Sequence, residues 1–285
     1  MTRGARAINL AFVTLVFTGC ARYSVRRAAL VPQPTPVFRS GQPMDRIAEL
    51  GVGVGTLARA QEPQEGSAED GLQIPRVQVG GNLRFRLTPN FDMGLIVERA
   101  SQAGATALAD DQPTPEGDAS GHGISVQYSL ETDDIPGLRI AVAADLLLYS
   151  IPNVEYRTCF ENCDAVGTYT SVEYKRTVVP VHALALTPSW QHQDWTLYGG
   201  MTLRNHPTIE RGGIEGPYDS DDLEAGPLNV VLSAGVERHL GRGVRAALVL
   251  YQVTGKKPVQ YAPTVAATLT IPLAAGDGSD SRARL

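Results

Sequence analysis

The sequence predicts an all-β protein, an antiparallel up-and-down transmembrane β-barrel of about ten strands, with eight to twelve as the range. Three observations predict this fold class. Apolar and polar residues alternate in about ten segments between residues 44 and 273, and a period of two is that of a strand with two different faces. The connections between the segments are alternately long and short. The segments also have the length that a tilted strand needs to cross a bilayer.

The first 19 residues are predicted to form a signal peptide. Arg3 and Arg6 precede a short apolar run at residues 7–18. This order is typical of an export signal, because a membrane-spanning helix needs about 20 consecutive apolar residues. We therefore expect the chain to be exported.

The end of the apolar run resembles a bacterial lipoprotein signal. Such signals have a hydrophobic residue, a small residue and Gly or Ala before a cysteine that is lipidated, and here the sequence FTGC ends at Cys20. Phe17 stands where Leu, Val or Ile is usual, and Ala21 is similar to the residue found in lipoproteins sorted to the outer membrane. The resemblance implies a lipid anchor, such as palmitate, on Cys20. An ordinary secretory signal with an incidental cysteine is the alternative.

Residues 20–43 are predicted to be a lipidated, Pro-rich tether. Its prolines are Pro32, Pro34, Pro36 and Pro43. Proline lacks an N–H donor and favours extended backbone. We therefore expect this stretch to connect the lipid to the barrel without joining the fold.

The pattern is clearest in a hairpin at residues 77–97, in which alternation resumes after the turn Thr88-Pro89-Asn90. The segment at residues 172–186 changes parity near Pro180, which predicts a bulge or kink. The other strand-like segments are residues 47–57, 123–130, 138–148, 195–203, 230–236, 244–253 and 265–273. All of them alternate except residues 244–253, which are apolar on both faces apart from Arg245 and Gln252. Together these segments form the predicted barrel, residues 44–273.

The connections alternate in length along the chain. The long ones are residues 58–74, 101–122, 151–169 and 205–228; the short ones are residues 88–90, 133–137, 190–194 and 241–243. A medium loop follows at residues 254–260. Up-and-down strands place successive connections at opposite ends, so one end carries long loops and the other carries tight turns.

This architecture resembles small bacterial outer-membrane β-barrels, with no specific family. Those barrels have an even number of strands, short periplasmic turns and longer outer loops. The resemblance implies a lipid-anchored protein of the bacterial outer membrane with both barrel termini in the periplasm. The last strand ends at Leu273 without the terminal aromatic residue usual in this class, and residues 274–285 are predicted to be a polar tail.

The apolar face is predicted to point outward to lipid. The polar faces are rich in Ser, Thr, Gly, Asn and Gln, and Lys occurs only at positions 175, 256 and 257, unlike the exterior of a soluble barrel. Phe91 and Trp195 begin strands at the short-turn end, as interface aromatic residues do. Charged residues of the polar face are expected to pair in a narrow lumen filled by side chains: Arg84, Arg86, Glu98, Arg139, Asp145, Arg204, Glu237 and Arg245.

The two remaining cysteines, Cys159 and Cys163, are predicted to form a small loop-closing disulfide. They lie four residues apart, and an oxidising compartment permits the bond. A metal site is the alternative, but further Cys or nearby His residues are lacking. We expect no metal and no cofactor.

Enzymatic chemistry is weakly indicated. Omptin-type outer-membrane proteases use Asp and Asp-His pairs at the loop end of a barrel, and a lipid-modifying enzyme would combine residues such as Ser125 and His182. The omptin-like candidates are Asp110, Asp111, Asp219, Asp221, Asp222, His122 and His206. Loops rich in Gly, Pro and Ser surround them, so we expect solvated residues. An acidic cluster from Asp219 to Glu224 has no fixed calcium-binding spacing.

The sequence therefore predicts a non-enzymatic structural or interaction component of a cell-envelope assembly, such as secretion, motility or export machinery. The expected partners are outer-membrane lipid and envelope proteins, and not nucleic acid. Residues 101–121, 151–169 and 205–228 would form the presented loops. The alternatives are a small outer-membrane channel, an omptin-like or lipid-modifying enzyme, and a soluble lipid-binding barrel on a lipid tether.

Overall fold

The computed structural model describes residues 22–44, 46–57, 71–106, 108, 112–132, 134–161, 169–210, 222–254 and 263–273. Its strands are β1 (Arg22–Leu30), β2 (Ala48–Leu57), β3 (Leu72–Gln73), β4 (Val77–Thr88), β5 (Phe91–Ala100), β6 (Ala119–Glu131), β7 (Leu138–Glu161), β8 (Tyr169–His192), β9 (Trp195–Asn205), β10 (Thr208–Glu210), β11 (Asp222–Glu224), β12 (Leu228–Gly241), β13 (Val244–Thr254) and β14 (Thr264–Pro272). No helix in these ranges is long and apolar enough to cross a membrane.

Ten strands form a closed antiparallel barrel. Their order around it is β7-β6-β5-β4-β2-β14-β13-β12-β9-β8, and β8 pairs with β7 to close the ring. Every neighbouring pair in this ring is antiparallel. Closure leaves the barrel without a free sheet edge. The predicted all-β, up-and-down barrel of about ten strands is confirmed.

The two ends of the barrel differ as the connections predicted. At one end the strands are joined by tight turns, and Gln193 and Arg242 adopt positive φ angles of 53° and 52° there, the backbone geometry of two-residue hairpins. At the opposite end the connections are longer: one contains β3, and another contains the β10–β11 hairpin. We name these the short-turn end and the long-connection end.

β7 and β8 continue well beyond the rest of the barrel at the long-connection end. The loop predicted at residues 151–169 is wrong in extent, because β7 runs to Glu161 and β8 starts at Tyr169. The predicted bulge near Pro180 is also wrong, since Leu148 and Leu147 pair in unbroken register with Pro180 and Val181. Apolar residues lie on both faces of β8 around Pro180, so the sequence pattern suggests a switch of the apolar face although the strand is regular.

The outside of the barrel is an apolar belt. Leu248, Leu95 and Leu197 are 57%, 56% and 50% exposed on three different strands. Trp190 and Trp195 are exposed beside the turn at the short-turn end, where the Arg238 guanidinium lies 5.1 Å from the Trp195 ring centroid. Since aromatic residues flank the apolar band of membrane barrels, the apolar-outward prediction is confirmed for the described strands.

The segment expected to be a free tether is packed into the fold instead. β1 pairs antiparallel with the part of β7 that extends above the barrel, from Ala29 opposite Asn153 to Arg22 opposite Glu161. Residues 28–36 and 39–42 are buried. The proline content did indicate extended backbone, but this backbone lies inside the barrel.

An apolar cluster closes the lumen at the long-connection end. Its residues come from the barrel wall, from β1, and from β3 and the β10–β11 hairpin in the long connections. They are Ala29, Val31, Leu72, Ile74, Ile96, Leu147, Tyr149, Ile151, Val179, Val181, Ile209 and Leu223. The connections therefore form a packed cap over the barrel.

Candidate functional site: the occupied lumen

Residues 31–44, which we name the lumen segment, run through the barrel from end to end. Near its start, Thr35 contacts Arg204, next to the last residue of β9 at the long-connection end. Further along, Arg39 contacts Ser125 halfway down β6. Gln42 donates to the carbonyl of Gly137, in the turn before β7 at the short-turn end, at 3.3 Å. The order of these contacts fixes the direction of the chain, from the cap down to the start of β2.

The proline content explains how a chain without a partner strand can be buried there. A buried backbone N–H must find a hydrogen-bond acceptor. Pro32, Pro34, Pro36 and Pro43 have no N–H to satisfy. Polyproline backbone also needs no internal hydrogen bonds. The segment can therefore fill a narrow lumen at a low cost in unsatisfied backbone groups.

The upper part of the lumen is organised around Glu98. Arg204 forms an ion pair with this carboxylate at 2.8 Å, and Gln78 donates to it at 3.0 Å. The Tyr149 hydroxyl also donates to Glu98. The other guanidinium nitrogen of Arg204 donates to Thr35 Oγ1 at 2.8 Å. Arg204 thus ties the lumen segment to the wall.

Arg39 is the cation that the lumen segment brings to the centre of the barrel. Its Nε donates to Gln127 Oε1 at 2.5 Å, and its Nη2 donates to Ser125 Oγ at 2.7 Å. The same nitrogen lies 3.8 Å from the Asp145 carboxylate, which accepts from Ser125 at 2.6 Å. A buried carboxylate of the wall is therefore neutralised by a residue from outside the wall.

A second network spans the lower lumen. Arg84 pairs with Asp92 at 2.6 Å, and Glu49 lies between Arg84 and Arg245. Arg245 also lies 3.7 Å from Glu237. Buried charges on five strands are therefore linked across the barrel interior.

The lumen segment joins this lower network as well. Ser40 Oγ donates to Glu237 at 3.1 Å. Arg86 donates to the Met44 carbonyl oxygen at 3.1 Å, just before β2 begins. Gly41 lies so close to the wall that a Cβ there would be 2.5 Å from the Thr187 carbonyl oxygen. The fit between segment and wall is therefore tight at the short-turn end.

A small cavity of about 50 Å³ remains beside the segment. Gly51, Gly53 and Gly80 line it on the wall side, opposite Pro36 and Arg39. Such a volume holds a few water molecules at most. The alternating glycines of β2 therefore border the path of the lumen segment.

The predicted lumen charges are distributed as follows. Six are in the ion pairs of the lumen: Arg84, Glu98, Asp145, Arg204, Glu237 and Arg245. Arg86 and Arg139 lie near the short-turn end, where Arg139 pairs with Glu131 at 2.7 Å. Sequence reasoning missed Glu49 and Asp92, although both lie on the polar parity of their strands. It also missed Arg39, for which no strand pattern gave a signal.

Above the barrel, the inner face of the extension carries its own ion pairs. Arg27 and Lys175 lie 3.2 Å and 3.1 Å from the Glu155 carboxylate. Burial alone would raise the pKa of Glu155, but the hydrogen bonds and charges of Lys175 and Arg27 outweigh it and hold this pKa below its ordinary value. These pairs connect β1 to both long strands.

The predicted anchor and disulfide are untested. Cys20 and Cys163 lie outside the described residues, and Cys159 lies in β7 opposite Tyr23. The lipid anchor and the disulfide therefore stay predictions. Within the described ranges, no group of three or more His, Cys, Asp or Glu residues is placed to hold a metal ion.

The enzymatic candidates are not brought together where they are described. Ser125 is buried in the lumen, whereas His182 is exposed on the outer face of β8. His122 is likewise exposed, and His206 is buried in the connection directly after β9. Asp222 is exposed in β11; the remaining candidates, Asp110, Asp111, Asp219 and Asp221, lie outside the described residues.

No protein-family model and no curated protein matches the chain. Solved structures that it resembles include LpxR from Salmonella typhimurium (TM-score 0.40, 10% identity, covering 79% of this chain and 99% of that one). Others are the outer membrane protease OmpT from Escherichia coli (0.37, 12%, 78% and 93%) and an outer membrane channel from Pseudomonas putida F1 (0.40, 9%, 84% and 99%). The predicted class, bacterial outer-membrane β-barrels without a specific family, agrees with these names. Likenesses this distant indicate neither an activity nor a ligand.

Proposed function

We propose that the protein is a closed outer-membrane barrel that serves as a structural or interaction component of a cell-envelope assembly. The observation that carries this proposal is the lumen segment, which fills the barrel and is tied to the wall at three levels by Thr35, Arg39 and Gln42. A barrel whose interior is occupied by its own chain acts through its surface.

The filled lumen argues against the small-channel alternative. That alternative requires a water-filled path along the barrel, but the cap closes one end and the ion-pair networks cross the middle. Glu98 and Arg84, which a channel would present to permeating ions, are bonded to Arg204 and Asp92.

The extension of β7 and β8, together with β1, is the surface we propose for partner contact. On its outer face Tyr174 and Val172 are 52% and 46% exposed. Val178 of β8 pairs with Ser150 of β7, at the level where β6 begins. Tyr174 lies four residues further along β8, about 13 Å above that level at the rise of a strand. Exposed aromatic and aliphatic side chains above a membrane barrel are suited to protein contact.

The test is site-specific photo-crosslinking in whole cells. A photoreactive phenylalanine derivative replaces Tyr174 in one variant and Leu184 in the matched control. Both side chains lie on the outer face of β8 and are 52% and 53% exposed, but Leu184 lies in the apolar belt. We expect a discrete protein adduct from position 174 and none from position 184. Absence of any adduct from position 174 would contradict the proposal.

A further inference from the structure

The position of β1 determines on which side of the membrane the preceding chain lies. β1 pairs only with the part of β7 beyond Pro152, whereas β6 pairs with β7 only up to Ser150. β1 therefore continues the sheet above β6, outside the barrel at the long-connection end. β2 begins at the opposite end, where Ala48 pairs with Phe85 near the turn after β4.

β1 is held in this place by more than its backbone ladder. Ala28 and Ala29, on its two faces, are completely buried. Ala28 packs with Val154 and Tyr156, and Ala29 belongs to the apolar cap. The Arg27 guanidinium lies 3.2 Å from Glu155 on the neighbouring strand.

The lumen segment connects these two ends inside the barrel. Between Leu30 in β1 and Ala48 in β2, the chain contacts the wall at the top, middle and bottom in sequence order. A path outside the barrel would leave Arg39 in lipid rather than beside Asp145.

We propose that the chain threads its own barrel, so that the residues before Arg22, with any lipid carried by Cys20, lie on the cell-surface side of the outer membrane. Only Ala21 lies between Cys20 and Arg22, and these two residue steps span at most about 7 Å. The hydrocarbon core is about 30 Å thick, so a lipid at Cys20 cannot reach across it from the long-connection end. Anchoring in the periplasmic leaflet is incompatible with this path.

The inference rests on the proposed outer-membrane placement, with the long connections outside. The experiment therefore uses three epitope-tagged forms of the full chain. One tag is inserted between Ala21 and Arg22, one within residues 162–168 between β7 and β8, and one after Leu285. Each form is first checked for heat-modifiable gel mobility, which reports a folded barrel. Binding of an antibody is then compared on intact and permeabilised cells.

We expect the tag before Arg22 to behave like the tag between β7 and β8, and to bind antibody on intact cells. The tag after Leu285 should bind only after permeabilisation, because β14 ends at the short-turn end. A tag before Arg22 that shares the behaviour of the C-terminal tag overturns the threading. A β7–β8 tag that is hidden on intact cells instead overturns the surface placement and the proposed function with it.

Discussion

At the residue scale, Arg39 shows the limit of reading a barrel from strand patterns. The wall charges Arg84 and Arg204 were predictable because each lies on the polar parity of an alternating segment, and Arg245 because it interrupts an apolar strand. Arg39 lies in a proline-rich stretch without alternation, and only the fold reveals that it meets Asp145. The described ion pairs of the lumen involve these three guanidiniums of the wall and five wall carboxylates, Glu49, Asp92, Glu98, Asp145 and Glu237. Arg39 reduces that imbalance.

Replacing Arg39 with methionine should therefore destabilise the barrel. The change retains most of the side-chain volume but leaves Asp145 and Gln127 without their guanidinium partner, and breaking a buried ion pair costs roughly 3 kcal/mol. The free energy of unfolding, measured by urea titration in lipid vesicles, checks this value. Asp145→Asn and the double variant complete a thermodynamic cycle, in which the double variant should lose less than the sum of the single losses. A loss below about 0.5 kcal/mol for Arg39→Met would show that the contact is dispensable.

At the scale of elements, the alternating pattern located the barrel strands but failed at the extension. Pro152 and Val154 lie on the face of β7 that points outward, yet they are buried, as are Ile151 and Asn153 on the opposite face. Packing on both faces removes the contrast on which alternation depends. The partners that cover these faces, β1 and residues of the long connections such as Leu108, are distant in sequence. A local pattern contained no signal for them.

The connection between β9 and β12 should open as the pH falls. His206 is buried there, and its backbone N–H donates to the Pro227 carbonyl oxygen at 3.0 Å. Burial lowers the pKa of the His206 imidazole to about 4. The unfolded value is about 6.5, so its neutral form supports the closed connection fully above that pH. That stability is lost as the pH falls from 6.5 towards 4.

We expect the opening constant to rise roughly 25-fold between pH 7.5 and pH 5. Hydrogen exchange of the Ile209 amide, corrected for its intrinsic rate, measures this change. His206→Gln should abolish the pH dependence, whereas His192→Gln, at an exposed position of the short-turn end, should leave it intact. Equal pH profiles in the wild type and His206→Gln would assign the opening to another group.

At the scale of the whole molecule, the lengths of the connections determined which end each barrel strand starts from. The alternation of apolar and polar residues could not reveal the path of residues 31–44, because these residues form no strand. Ten strands alone leave a lumen somewhat wider than an eight-stranded barrel, whose interior side chains just fill. Gly51, Gly53, Gly80 and Gly81 have no side chains, which leaves room for the lumen segment beside this part of the wall. The lumen of this barrel is therefore filled in part by residues 31–44 of its own chain.

Deleting residues 22–43 should accordingly convert the closed barrel into a pore. Without Arg39, the ion-paired groups described on the lumen wall are five carboxylates and three guanidiniums, so the pore should prefer cations. Planar-bilayer recordings would give small steady conductance steps for the deletion variant and none for the wild type, and the reversal potential in a salt gradient would report the selectivity. Deleting only residues 22–30 is the matched control, because it removes β1 but keeps the lumen segment, and it should stay closed. If the larger deletion folds, as judged by heat-modifiable mobility, and still does not conduct, the wall side chains alone close the lumen and the segment serves another purpose.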